Sequence, residues 1–265
     1  MKNFAKKPKM NSLNAGISKV NITPPVGIYQ IGFSCRLDKP SIGIHDDLYA
    51  AALVLKKNEE KTAIITTDTL GYTDITSLDK IRKLVKEQTG IEHILLCGSH
   101  THCGPIIGPG FHRMIPEVGE INMKGDPAYT DIFCRKIAGA VYMAANEMVP
   151  VRVKSGIGRA KIGINRRPLG ENGKVKDIGE NPYGPIDDSV SVFAMERKDG
   201  TTLAFLVNYA CHAVSAGASF YISADYPGYT QKFIENKLGC VALFAQGACA
   251  NVNPKKFTSA TSSGS

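Results

Sequence analysis

The sequence lacks tryptophan, long apolar runs and paired cysteines. No stretch reaches the ~18 consecutive apolar residues of a membrane span, and the N-terminal segment lacks the apolar run of about 7–15 residues that marks a signal peptide. We therefore expect a cytoplasmic chain with no transmembrane segment. The seven cysteines form no CxxC pair and mostly lie in apolar segments, which favours reduced thiols over a disulfide framework.

Several catalytic signatures are also missing. The sequence contains no GxSxG elbow, no HExxH, no GxxxxGK[ST] loop and no GxGxxG after a strand. These motifs supply a nucleophile, metal ligands or a phosphate cradle. Their absence argues against a GxSxG serine hydrolase, a zincin and a nucleotide-binding domain.

What the chain does contain is enough apolar sequence for a sizeable core, with 43% hydrophobic residues in 265. This composition excludes disordered and fibrous classes. Part of the net charge of +8 lies in the lysines of residues 1–14. We interpret this segment as a solvated basic arm and expect no nucleic-acid partner. Residues 15–257 are expected to form one α/β catalytic domain, and the small polar residues 258–265 a disordered tail.

Hydrophobic periodicity predicts an α/β fold with a mixed β-sheet covered by helices. Alternation at 17–22 predicts a strand, and β-branched runs at 47–56 and 62–67 predict a hairpin. Apolar residues at three- and four-residue spacing over 73–90 predict a helix that leads into a buried strand at 93–97. Glycine and proline at 103–126 predict a long irregular loop. The later elements are expected to be a helix at 129–148, a strand at 151–164, a loop at 165–188, a hairpin of 190–197 and 201–209, a helix at 226–238 and a strand at 241–245.

Histidines cluster where strands are expected to end. His100 and His102 follow the strand at 93–97, and in a continuing strand their side chains would share a face and converge on one ion. Taken alone, the pair also fits two unrelated polar histidines. His212 follows another apolar strand and enters a glycine-rich loop, and Asp68 ends a third. Because loops at the carboxyl ends of strands meet in open α/β sheets, this edge is the predicted site.

Four further residues are candidates with open alternatives. Asp225 is either the N-cap of the following helix or a carboxylate that orients a histidine, binds a metal-activated water or contacts substrate. Arg166 is either a surface arginine or a guanidinium that contacts a substrate carbonyl or a developing oxyanion. His45 is either a capping or surface histidine or a residue of the substrate pocket. Cys103 directly follows His102 and offers a thiol, although an incidental buried cysteine explains it as well.

The histidine-rich segment Ser-His-Thr-His-Cys-Gly-Pro at 99–105 resembles the SGTHTHSGPGG-type segment of neutral/alkaline ceramidases. Further matches follow in the same order and cover most of the chain. They are an opening strand with a Thr-Pro turn, Gly43-Ile44-His45, Asn165-Arg166 followed by Pro168, His212 after a strand, Ser223-Ala224-Asp225, Gly228-Tyr229 and Phe244-Ala245-Gln246-Gly247.

In that family a zinc ion in the N-terminal catalytic domain activates water for hydrolysis of the ceramide amide. The resemblance implies that His100 and His212 bind zinc and that His102 is a pocket or proton-handling residue. It also implies that Arg166 contacts substrate or oxyanion. A small-molecule or lipid substrate follows from the same resemblance. Zinc with histidine ligands and an open position lowers the pKa of bound water toward about 7, so this chemistry is physically reasonable.

The sequence departs from the family pattern at two places. The family's segment of the form QSNxGDxSP supplies an active-site serine where this chain has Asn253. The resemblance makes Asn253 a candidate catalytic residue, which can hold a hydrogen bond but cannot act as an alkoxide. The family's remaining zinc ligands, a glutamate and a tyrosine, come from sequence well beyond the segment that matches 244–254. We therefore expect the chain to be truncated.

These observations predict a zinc-dependent hydrolase that cleaves an amide or related acyl bond. One alternative is an amidohydrolase-type metalloenzyme, in which His-x-His ends the first strand of an eight-stranded parallel barrel. The other is an inactive binding or scaffold protein that keeps the fold without the full ligand set.

Overall fold

The computed structural model describes residues 13–36, 39–72, 74–115, 119–175 and 177–255. The predicted arm lies almost entirely outside these residues, and the predicted tail lies wholly outside them. The first half of the chain forms β1 (Asn14–Asn21), β2 (Gly43–Ile44), β3 (Tyr49–Lys57), β4 (Glu60–Thr67), α1 (Ile75–Thr89), β5 (His93–Gly98), β6 (Gly110–Ile115), β7 (Gly119–Lys124) and α2 (Pro127–Asn146). The second half forms β8 (Val149–Arg159), β9 (Gly163–Asn165), β10 (Ser189–Arg197), β11 (Thr202–Tyr209), β12 (Tyr221–Ile222), α3 (Asp225–Leu238), β13 (Val241–Gln246) and β14 (Val252–Pro254).

The main sheet has eight strands in the order β13-β11-β10-β8-β1-β3-β4-β5. Two pairs are parallel, β4 with β5 and β11 with β13, and α1 and α3 supply their crossovers. The other neighbouring pairs are antiparallel. The predicted mixed α/β sheet is therefore confirmed. The alternative of an eight-stranded parallel barrel is wrong, because five of the seven neighbouring strand pairs of this sheet are antiparallel.

Strand β3 is buried on both faces, which explains its continuous apolar sequence. On one face, Ala52 and Val54 pack in a core with α1 and α2. On the other face, Ala51 and Leu53 share a second core with residues of β8, β10, β11 and β13. The edge strands β13 and β5 also contact each other. The sheet therefore folds over so that its two halves stack.

The ends of α1 and α2 follow from local chemistry. The Asp74 carboxylate accepts hydrogen bonds from the backbone N–H groups of Thr76 and Ser77, and Gly90 ends α1 in a left-handed conformation that glycine adopts at little cost. In α2, Asp126 caps the N-terminus, and the ring of Pro127 fits the first turn, where no N–H partner is needed. No helix in the described residues combines the length and apolar character required to cross a lipid bilayer.

The predicted irregular loop at 103–126 is partly wrong. Strands β6 and β7 pair as an antiparallel hairpin, so backbone N–H and C=O groups of this segment form hydrogen bonds with each other. At the base of the hairpin, a Cβ on Gly125 would lie 1.8 Å from the Gly108 carbonyl oxygen. Glycine is therefore required there for close approach of two backbones. The glycine content that predicted irregularity instead permits tight pairing.

Candidate metal-binding site

The segments that follow β5 and β11 meet at the carboxyl ends of the two parallel strand pairs. Thr101 and Ala213 form an isolated parallel bridge, in which the His102 backbone N–H donates to the Ala213 carbonyl oxygen at 3.1 Å. The Thr101 hydroxyl donates to the Ser223 carbonyl oxygen at 2.7 Å. These contacts bring together histidines that are more than a hundred residues apart in sequence.

The predicted strand through His100 and His102 is wrong, although the two rings do converge. Strand β5 ends at Gly98, and His100 has a φ of 64°, in the left-handed region. The His100 backbone N–H donates to the Thr69 carbonyl oxygen at 2.9 Å, which fixes the turn. The ring centroids of His100 and His102 lie 5.0 Å apart. Convergence therefore comes from a strained turn.

His100 and His212 face each other with defined tautomers. The His100 Nδ1 atom lies 2.8 Å from the Leu70 carbonyl oxygen, and the His212 Nδ1 atom lies 2.8 Å from the Cys249 carbonyl oxygen. Because a carbonyl oxygen only accepts hydrogen bonds, each Nδ1 carries the proton and each Nε2 is left with a lone pair. The two Nε2 atoms are 3.2 Å apart. Two lone pairs at this distance repel unless a shared cation or proton lies between them.

Burial keeps the three imidazoles in the neutral form that binds metals. Burial is the largest cause that lowers the pKa of all three rings, and the positive charge of Arg166 acts in the same direction. Together with the neighbouring histidines these effects bring the pKa of His212 to about 4 and that of His102 to about 3. Both ring nitrogens of His102 are buried without a hydrogen-bond partner among the described residues. Unpartnered buried nitrogens of this kind call for a ligand or a reacting group.

The residues present fit a zinc ion. For zinc–nitrogen bonds of about 2.0–2.1 Å in a tetrahedron, two nitrogen ligands lie about 3.3 Å apart, close to the 3.2 Å between the Nε2 atoms of His100 and His212. Cys249 Sγ and one ring nitrogen of each of these two histidines all lie within 4.8 Å of one another. Imidazole and thiolate donors suit zinc. Sequence reasoning treated the cysteines as incidental, although Cys249 also follows the carboxyl end of a strand.

Arg36 and Phe33 form the far side of the His102 pocket, and sequence reasoning missed both. Arg36 is 1% exposed, and its guanidinium donates to the His102 carbonyl oxygen at 2.6 Å and to the Ser219 carbonyl oxygen at 2.6 and 2.9 Å. Phe33 presents its ring to His102 with centroids 5.1 Å apart. The Sγ atom of Cys103 lies 3.2 Å from Arg36 Nη2, so this thiol faces a structural guanidinium.

Arg166 and Asn253 lie together beside the histidines. The Arg166 Nε–H donates to the Ala250 carbonyl oxygen at 2.9 Å, and its Nη1–H donates to Asn253 Oδ1 at 3.2 Å. Asn253 is 4% exposed and lies in β14, which pairs with β9, the strand that precedes Arg166. The residue at the serine position therefore orients a guanidinium. Its predicted catalytic role stays a prediction.

His45 and Asp225 lie together in a cavity of about 350 Å³ that also has Tyr226 and Tyr229 in its lining. His45 pairs with Asp46 at 2.8 Å. Asp225 accepts hydrogen bonds from the Ala216 and Tyr226 backbone N–H groups. The N-cap alternative for Asp225 is wrong, because Ala224 occupies that position and makes no side-chain cap. In the described residues, no hydrogen bond or ring contact joins either side chain to the three histidines, and a substrate-binding role stays a prediction.

A sequence profile of the family described as "Neutral/alkaline non-lysosomal ceramidase, N-terminal" matches residues 13–261. The chain belongs to this ceramidase family. The resemblance drawn from the histidine segment and the ordered motifs is therefore confirmed. A search of curated protein sequences finds no match.

Two solved ceramidase structures share the fold. The neutral ceramidase from Pseudomonas aeruginosa is 23% identical, with a TM-score of 0.74 over 96% of this chain and 41% of that one. A structure described as a ceramidase complexed with C2 is 23% identical, with a TM-score of 0.72 over 92% of this chain and 39% of that one. The chain thus spans about two-fifths of the length of these ceramidases.

Proposed function

We propose that this ceramidase-family domain carries the zinc site of a hydrolase that cleaves the N-acyl amide bond of a ceramide-like lipid. The observation that supports it most is the pair of His100 and His212 Nε2 atoms, 3.2 Å apart and each held by a carbonyl at its Nδ1. A carbonyl at the second ring nitrogen fixes the ring and increases the basicity of the ligating nitrogen. This arrangement supports His100 and His212 as zinc ligands.

Zinc, when bound, supplies a Lewis acid for the amide carbonyl and lowers the pKa of a water molecule toward about 7. His102 offers unpartnered ring nitrogens within this pocket, and burial keeps the ring neutral before reaction. A neutral imidazole can accept the proton released when water attacks the amide carbon and can return it to the leaving nitrogen. Phe33 and Arg36 hold the His102 ring and backbone in place.

Arg166 is the residue suited to the developing oxyanion. Its guanidinium is fixed by the Ala250 carbonyl and by Asn253, and its charge already acts on all three histidines. A fixed positive charge stabilises a tetrahedral intermediate without reorganisation. Asn253 acts by holding Arg166, so this arrangement needs no serine alkoxide at that position.

The proposal is tested by zinc analysis and amidase assays of the wild-type protein and of His100→Ala and His212→Ala. We expect each substitution to reduce zinc content and hydrolysis of a fluorogenic N-acyl sphingosine together. His93→Ala removes an exposed histidine at the start of β5 and serves as the matched control. Zinc content and hydrolysis that survive both site substitutions would falsify the assignment. A folded wild-type protein that takes up no zinc and hydrolyses no acylated substrate would favour the binding or scaffold alternative.

A further inference from the structure

We propose that Cys249 Sγ, as a thiolate, is a third protein ligand to the metal that His100 and His212 hold. This inference rests on the proposed zinc site and adds a ligand for which the family resemblance gives no counterpart. With His100 and His212, Cys249 forms a His₂Cys donor set within the described residues. Sets of histidine and cysteine ligands are typical of zinc sites.

Distances support sulfur ligation. For zinc–sulfur and zinc–nitrogen bonds of about 2.3 and 2.0–2.1 Å, a tetrahedral site places sulfur about 3.6 Å from each nitrogen. Cys249 Sγ and the His100 and His212 ligand atoms already lie within 4.8 Å of one another. Closing the remaining gap of at most about 1.2 Å is within the reach of a side-chain rotation.

The backbone of Cys249 is fixed relative to its partner ligand. The Cys249 carbonyl oxygen accepts hydrogen bonds from His212 Nδ1 at 2.8 Å and from the Val252 backbone N–H at 2.9 Å. The His212 backbone N–H donates to the Val252 carbonyl oxygen at 3.0 Å, which closes a ring of contacts among the three residues. The same residue therefore orients one ligand through its carbonyl and offers a second through its sulfur.

Charge also favours this role. Cys249 is 8% exposed, and a buried thiolate is costly unless a cation lies beside it. Burial raises the pKa of the Cys249 thiol, and the positive charge of Arg166 opposes this effect. A metal ion held by the two histidines would lower the pKa of the thiol in the same direction as Arg166. On binding, the sulfur–metal bond forms and the thiol proton leaves to solvent. The neighbouring Cys211 lies outside the ligand group, and its Sγ faces the His212 carbonyl oxygen at 3.9 Å.

The test is absorption spectroscopy of the full chain loaded with Co²⁺ in place of Zn²⁺. We expect the wild-type protein and Cys211→Ala to show a thiolate-to-cobalt charge-transfer band in the near ultraviolet. Cys249→Ser and Cys249→Ala should lose this band and keep the visible bands of histidine-bound cobalt. Zinc affinity should fall by more than the roughly 10–100-fold that loss of an outer hydrogen-bonding partner costs.

Zinc X-ray absorption of the unmutated protein provides a second measurement that does not depend on the variants folding. One sulfur in the zinc shell is expected. Bound metal without a sulfur neighbour would overturn the assignment of Cys249 and leave the two-histidine site intact. A wild-type protein that binds neither zinc nor cobalt would overturn the proposed function itself. A charge-transfer band that persists in Cys249→Ala would also refute the inference.

Discussion

Asp68, directly after β4, is a buried carboxylate, and the amount by which its charged form lowers the stability of the fold can be measured. It is 3% exposed, and it accepts hydrogen bonds from the Tyr49 backbone N–H at 2.9 Å and from Gln231 Nε2 at 3.0 Å. Burial raises its pKa from 3.8 to about 6, because the charged form loses more hydration than these two donors replace. We predict that Asp68→Asn stabilises the protein at neutral and alkaline pH. The asparagine oxygen keeps the Tyr49 bond, and a reversed Gln231 amide can accept from the new NH₂.

The magnitude follows from the linkage between protonation and folding. A pKa that is higher in the folded than in the unfolded state means that the folded state binds the extra proton, so stability falls as pH rises from about 4 to about 6. The difference between 3.8 and about 6, at about 1.36 kcal/mol per pH unit, corresponds to about 3 kcal/mol at pH 8. At pH 5 the same relation leaves about half of this free energy. The stabilisation by Asp68→Asn should therefore grow by about 1–2 kcal/mol between pH 5 and pH 8.

The assay is equilibrium urea unfolding of wild type and Asp68→Asn at pH 5, 6, 7 and 8, with the slope on urea required to be unchanged. A stability difference that stays constant across this range would refute the assignment of the raised pKa to Asp68. Destabilisation at pH 8 would show that the two hydrogen bonds outweigh the desolvation cost.

Asp74 provides a comparison in which the pKa of the carboxyl group is shifted in the opposite direction from that of Asp68. Hydrogen bonding from Ser77, first through its hydroxyl, lowers the pKa of this N-cap carboxyl below its usual value. A depressed pKa contributes stability that is present at neutral pH and is lost as pH falls through the folded-state pKa. Asp74→Ala should cost about 0.5–2 kcal/mol at pH 7, and the cost should shrink in acid. The same urea series measures it, and a cost that grows in acid would contradict the cap geometry.

Three further substitutions test the packing around the site and between the sheet halves. Gly32→Ala would place a Cβ 2.6 Å from the His102 ring, at a φ of 124° that disfavours alanine. We expect this variant to have a lower kcat and an unchanged zinc content, and loss of zinc would contradict the prediction. Leu53→Ala should lower the free energy of unfolding by about 2–5 kcal/mol in urea titrations, and a cost below about 1 kcal/mol would argue against stacked sheet halves. Arg36→Lys should lower the free energy of unfolding by at least about 1.5–3 kcal/mol, because lysine cannot reach the His102 and Ser219 carbonyls together. A thermal unfolding curve that matches wild type would refute this prediction.

Periodicity predicted the regular elements well because their apolar faces are continuous in sequence. The strand, helix and strand over 61–97 and the hairpin of β10 and β11 lie close to where the patterns placed them. The hairpin of β6 and β7 was missed because its glycines also fit a loop. The stacking of the two sheet halves could not be predicted from the sequence either. A continuous apolar run such as β3 shows that both faces of the strand are buried, but it does not show what covers each face.

Part of the candidate site was predictable and part was not. His100, His102 and His212 stand at strand ends that sequence can locate, and the structure brings their rings within 5.4 Å of one another. Cys249 and Arg36 were missed because neither has a spacing that marks it as functional. A buried arginine bound to carbonyl oxygens leaves no sequence pattern, since its partners are backbone atoms common to every residue.

The same reasoning explains why the orientation of the ligands is hidden from sequence. The groups that fix the tautomers of His100 and His212 are the carbonyl oxygens of Leu70 and Cys249. Any residue type can supply a carbonyl, so the side chain at 70 carries no signal of this role. What the fold must preserve is the path of the turns after β4 and β13, and both turns follow parallel strands joined through a crossover helix. The geometry of the site therefore depends on the path of the backbone more than on the identity of the side chains. Cys249 combines the two, because its backbone carbonyl orients His212 and its side chain is the proposed third ligand.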